Sequence, residues 1–78
     1  MFLTPRQMDI VLAIRNHRHV KGYPPTFREL AALVGISRVT TVQHVKALIK
    51  KGIIRKQPHQ ARTLEVVADD SLVKPAAA

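Results

Sequence analysis

Where this chain can start and stop a helix constrains its fold more than any other feature of the sequence. Thr4-Pro5-Arg6-Gln7 opens a first helix with three agreeing signals. Thr4 can cap, Pro5 suits the first helical position, and Gln7 stands where a capping box needs it. Gly22 closes the segment as a left-handed cap and Pro24-Pro25 cannot continue it, so the spacing predicts a helix over 5 to 20. Met8, Val11, Leu12 and Ile14 are its expected apolar stripe. Thr26-Phe27-Arg28-Glu29 is a second capping box. It leads a short helix carrying Leu30, Ala31, Leu33 and Val34, which Gly35 ends. Ser37 caps a third helix, expected from Arg38 to Lys51 and stopped by Gly52.

After Gly52 the period changes. Ile53 to Lys56 reads as a strand, Gln57-Pro58-His59-Gln60 as a turn, and Arg62 to Val67 as a second, alternating strand. The body of the domain is thus 1 to 67. Residues 68 to 78 have no usable period and read as a flexible tail or the start of a hinge linker. The expected fold is mainly α (α+β): a three-helix bundle with a two-stranded β wing, a winged helix-turn-helix. Two helices joined at Gly35 could form an ordinary helical hairpin, but the basic hairpin that follows favours the winged arrangement.

Charge points to the partner. Residues 1 to 63 carry twelve Lys and Arg against Asp9 and Glu29, a net of +10, within a chain whose total is +8. So one-sided a surface is the footprint of a protein that binds a polyanion, nucleic acid being the commonest. With 78 residues and no cysteine, thiol chemistry and thiolate metal sites are excluded. The longest apolar run, Ile10 to Ile14, cannot span a bilayer, and Met1 to Thr4 lacks the pattern of a signal peptide. No membrane contact is expected, and the cytoplasm is the expected location. Ser37 and Ser71 are the only serines, and neither has a base and an orienting acid in its neighbourhood, so no enzyme is expected. His17 and His19 do not face each other on a helix, and His44 and His59 fall on different elements. Neither a metal site nor a cofactor is expected.

On the third helix, turning Thr41, Val45 and Leu48 inward puts Val39, Gln43, Lys46 and Lys50 outward, with Thr40, Val42 and Ala47 on the flanks. Gln43 can offer a bidentate amide to adenine, and Arg38 can reach guanine or phosphate. Val39 and Val42 allow two readings: Val42 in the core with only Val39 exposed, or both against thymine methyls. Arg28, near the amino end of the second helix, suits phosphate, as do Lys46 and Lys50; Thr26, Lys51 and Arg62 are expected to flank the same side.

These residues resemble the amino-terminal winged-helix DNA-binding domain of the LexA repressor family. The resemblance covers about residues 3 to 67. It rests on Leu3-Thr4-Pro5-Arg6-Gln7, Gly22-Tyr23-Pro24-Pro25-Thr26 with Arg28-Glu29, Leu33-Val34-Gly35, His44-Val45-Lys46-Ala47-Leu48, Lys51-Gly52 and Ala61-Arg62-Thr63-Leu64-Glu65-Val66. Gly22 to Thr26 is its most specific part. The resemblance implies a repressor of the SOS, or DNA-damage, response that binds palindromic operators in double-stranded DNA as a homodimer. It implies base contacts from Ser37, Val39, Thr40, Val42 and Gln43, with Arg38 nearby. The turn Gly35-Ile36-Ser37 is one residue shorter than in many members, and Val39 to Gln43 differ from the best-known ones, so the operator does not carry over. The family's self-cleaving Ser/Lys domain has no counterpart in this sequence. The chain alone is therefore expected to be non-catalytic and weakly dimeric or monomeric. A phage- or plasmid-type regulator outside the damage response, or a winged helix that binds structured RNA, would share these features.

Overall fold

The structure, a computed structural model, describes residues 2 to 57, 62 to 67 and the backbone of 74 and 75. The chain runs β1 (Phe2–Leu3), α1 (Pro5–Lys21), α2 (Phe27–Val34), α3 (Arg38–Lys50), β2 (Ile54–Arg55), β3 (Glu65–Val66) and β4 (Lys74–Pro75). Both capping boxes form: Thr4 accepts from the Gln7 N–H, Thr26 accepts from the Glu29 N–H, and each partner side chain reaches back to its cap. Ser37 accepts from the Thr40 N–H at the head of α3. Gly35, at φ +80°, turns the chain between α2 and α3 while its N–H bonds Ala31 O at 2.8 Å. A side chain would resist that backbone angle.

The three helices pack on one another around Leu3, Ile10, Val11, Ile14, Leu30, Val45 and Leu48, and Ile53, Ile54 and Leu64 close the core from the wing side. The buried stripe of α1 is Gln7, Ile10, Val11 and Ile14, spaced at i, i+3, i+4 and i+7. The expected stripe therefore needs correction: Leu12 is 52% exposed, Met8 is only half-buried, and Ile10 takes the central place. The position that hid this phase is Gln7. Its amide oxygen accepts from the Thr4 N–H at 3.1 Å and from Lys51 Nζ at 3.0 Å, so a polar side chain occupies a core row with its oxygen satisfied. On α2, Leu30 and Ala31 are buried whereas Leu33 is 56% exposed.

The wing is a pair of antiparallel strands in the register Ile54↔Val66 and Arg55↔Glu65. Its second strand is shorter than the alternation over 62 to 67 suggested. Arg62 has φ +57°, a left-handed conformation outside the extended region of a regular strand, and pairing begins only after it. Beyond the paired residues, Gln57 and Thr63 bond each other, the Gln57 N–H donating to Thr63 Oγ1 at 3.1 Å. The remainder of the expected turn, from Pro58 through Gln60, lies outside the described residues. Within the segment read as a tail, Lys74 and Pro75 run parallel to Phe2 and Leu3. Residues 68 to 73 and 76 to 78 lie outside the described residues. No described helix is long and apolar enough to cross a membrane.

Candidate nucleic-acid interface

The inward row of α3 is Thr41, Val45 and Leu48, all fully buried. Thr41 is polar, and its hydroxyl is satisfied by donating to the Ser37 carbonyl at 2.9 Å. With that row fixed, Arg38, Val39, Gln43, Lys46 and Lys50 project outward and are exposed. Arg38, Val39, Val42, Gln43 and Lys46 line one shallow depression on this face. No acidic residue occurs anywhere on α3.

Val42 answers to neither sequence reading alone. It is half-buried, bordering that depression on one side and the hollow under Phe27 and Lys56 on the other. Ser37 and Thr40 are engaged with each other, the Ser37 hydroxyl donating to Thr40 Oγ1 at 2.9 Å. They stand at the head of α3, where free N–H groups favour anions.

The residues expected at phosphate divide into two groups. Arg28 is exposed in the first turn of α2, on a hollow shared with Arg38, Val42 and Lys56. Lys46 and Lys50 are exposed on α3. Lys51 and Arg62 have partners of their own. Lys51 donates to Gln7, and Thr26 spends its hydroxyl on the α2 cap. Arg62 grips Glu29 with two bonds, at 2.7 and 3.2 Å, and lies over the Tyr23 ring at 4.6 Å. It thus braces the wing against the amino end of α2. Lys56, absent from the expected set, lies 5.9 Å from the Phe27 ring centre on the same hollow as Arg28. Its place directly after a wing strand was the signal in the sequence.

Each of the three carboxylates among the described side chains is matched by an arginine: Asp9 by Arg6, Glu29 by Arg62 and Glu65 by Arg55. Arg28, Arg38, Lys46 and Lys50 have no carboxylate partner among the described residues. These four cations lie on the outer sides of α2 and α3, and Arg18 and Lys21 add exposed positive charge at the end of α1. The Glu29 carboxyl is lowered from 4.5 to about 2, first by the Thr26 N–H it accepts and then by Arg62. Hydrogen bonding from Arg55, and then its charge, lowers Glu65.

The Glu29 shift has a measurable consequence. The folded value lies below that of the unfolded chain, so the stabilisation is complete above about pH 4.5 and is lost as pH falls toward 2. Glu29→Gln should flatten this part of the acid limb in thermal melts followed by circular dichroism between pH 5 and 2. An unchanged slope would remove Glu29 from the brace.

Among the described residues no group of three or more His, Asp or Glu side chains could hold a metal ion. His17 donates from Nδ1 to the Tyr23 carbonyl at 2.9 Å, and its ring meets that of Tyr23 edge to face. His59 lies outside the described residues.

This architecture agrees with what the sequence matches. The model of the LexA DNA binding domain family aligns with residues 1–63. A LexA repressor of Staphylococcus carnosus is 43% identical over 68 residues, covering 86% of this chain and 33% of that protein. One of Streptomyces coelicolor is 41% identical over 69 residues, covering 87% and 30%. One of Bacillus pumilus is 39% identical over 77 residues, covering 97% and 37%. The chain spans about a third of the length of these relatives. A winged three-helix domain with an acid-free, cation-bearing third helix and a family match over most of its length belongs to the LexA DNA-binding domain family.

Proposed function

We propose that this domain represses transcription by sequence-specific binding to double-stranded DNA, with α3 in the major groove and the wing beside it. The observation that carries this reading is the outer face of α3. Arg38, Val39, Gln43, Lys46 and Lys50 stand exposed there, with no acidic side chain among them. Ser37, Arg38, Val39, Thr40, Val42 and Gln43 read base edges. Arg28, Lys46 and Lys50 hold phosphates, and Thr26 presents the amino end of α2 to the backbone. Lys51 and Arg62, retained from the sequence as phosphate contacts, serve first as internal ties and contribute little to the backbone contact. The relatives are named LexA repressors, which supports a place in the SOS response and palindromic operators bound by two copies. The domain acts by occupying DNA, with no catalytic step, in the cytoplasm where the chromosome lies. A single copy meets one half-site and binds weakly.

Two variants separate reading from gripping. Gln43→Ala should cost about 1–3 kcal/mol on the preferred site and relax preference at one base pair. Arg28→Ala should weaken all duplexes alike and reduce the salt slope by about one. Anisotropy titrations on a duplex chosen from a randomised pool, with an RNA duplex of equal length as competitor, measure both. An unchanged ranking of site variants after Gln43→Ala would mean that α3 faces the groove differently. Preferential capture by the RNA would replace DNA as the ligand.

A further inference from the structure

The outer face of α3 carries two apolar side chains for which the fold has no full use. Val39 is 69% exposed, the most open of the large hydrophobic residues described. It is β-branched and weaker as a helix former than the straight-chain residues that a solvated helix face ordinarily carries. Val42, one turn on, is half-buried. Residues three apart on a helix are neighbours, so the two side chains adjoin. Both line the depression that Arg38, Gln43 and Lys46 complete, so an apolar spot lies among polar groups suited to base edges. Both valines are stiff about χ1, and Val42 is half-buried on a hollow that Phe27 also lines. A seat of this kind has a fixed shape before any ligand arrives.

In the major groove, the distinctive apolar feature of the base edges is the C5-methyl of thymine. We infer that Val39 and Val42 together form a seat for a thymine methyl, so that this domain prefers a thymine within its half-site between the bases read by Arg38 and Gln43. The inference rests on the proposed insertion of α3 into the major groove. It adds to that reading the chemical group on which specificity turns.

The test begins with the preferred duplex selected from a random pool. Each thymine is then replaced in turn by deoxyuridine, which lacks only the methyl. One position should lose about fourfold in affinity, the value of one buried methyl group. Val39→Ala should bind the thymine and deoxyuridine duplexes equally at that position, while keeping the wild-type melting temperature because its side chain lies outside the core. A second pool made with 5-methylcytosine distinguishes the other source of the same group, and thymine should still be chosen at that position. A selected site tolerant of deoxyuridine at every thymine would overturn the methyl seat while leaving DNA reading intact. So would a Val39→Ala variant as sensitive as the wild type, whereas a preference for 5-methylcytosine would overturn thymine as the occupant of the seat. Absence of preference among duplexes would instead end the DNA reading itself, and the seat with it.

Discussion

Leu48→Ala is expected to bring the domain close to unfolding at ambient temperature. Leu48 is fully buried on the inward row of α3 and belongs to the cluster that α1, α2 and the wing strands share. Its carbonyl also receives the Ile53 N–H at 2.9 Å, where the chain turns from α3 toward the wing. Truncating a buried leucine removes its burial and leaves a cavity, together costing about 2–5 kcal/mol. A small domain holds a reserve of that order, on the order of 5 kcal/mol. The urea midpoint should therefore fall by most of its value, with specific binding lost in parallel. Val39→Ala is the matched control on the outer face of the same helix and should stay within about 0.5 kcal/mol of wild type. A loss below about 1 kcal/mol for Leu48→Ala would contradict its place in the core.

Raising salt from 50 to 200 mM should weaken duplex binding by about 150-fold. The figure follows from four cations without a carboxylate partner among the described residues, Arg28, Lys46, Lys50 and the neighbouring Lys56, each releasing about 0.9 of a counterion when it meets a phosphate. The log-log slope is then about −3.6. If Lys51 and Arg62 left Gln7 and Glu29 to contact DNA, six cations would give a slope of about −5.4 and a loss above a thousandfold. The titration thus counts which arginines and lysines are available for DNA. A slope near zero would remove the electrostatic basis of the proposal.

The helices were legible because their boundaries are written in adjacent residues. A cap and its partner stand three apart, and a glycine marks each end, so Thr4 to Gln7, Thr26 to Glu29, Gly35 and Ser37 could be placed without tertiary information. The orientation of α3 was legible too, since Thr41, Val45 and Leu48 define its inward row. The phase of α1 was not, because Gln7 occupies a core row and hydropathy counts it as solvent-facing. Nor were the fates of Lys51 and Arg62. Their partners lie 44 and 33 residues away, and such pairings leave no local period. The truncated wing strand follows from the same cause, since Arg62 adopts its left-handed backbone where its side chain meets Glu29 and Tyr23.

The tie from Arg62 to Glu29 and Tyr23 also bears on how fast and how tightly a duplex can be gripped. A loosely attached hairpin would have to surrender its freedom at the moment of docking, at about 1–2 kcal/mol per residue ordered. Here the root of the hairpin is immobilised in the free chain. That entropy is already spent during folding, and the encounter with DNA is left with fewer motions to freeze.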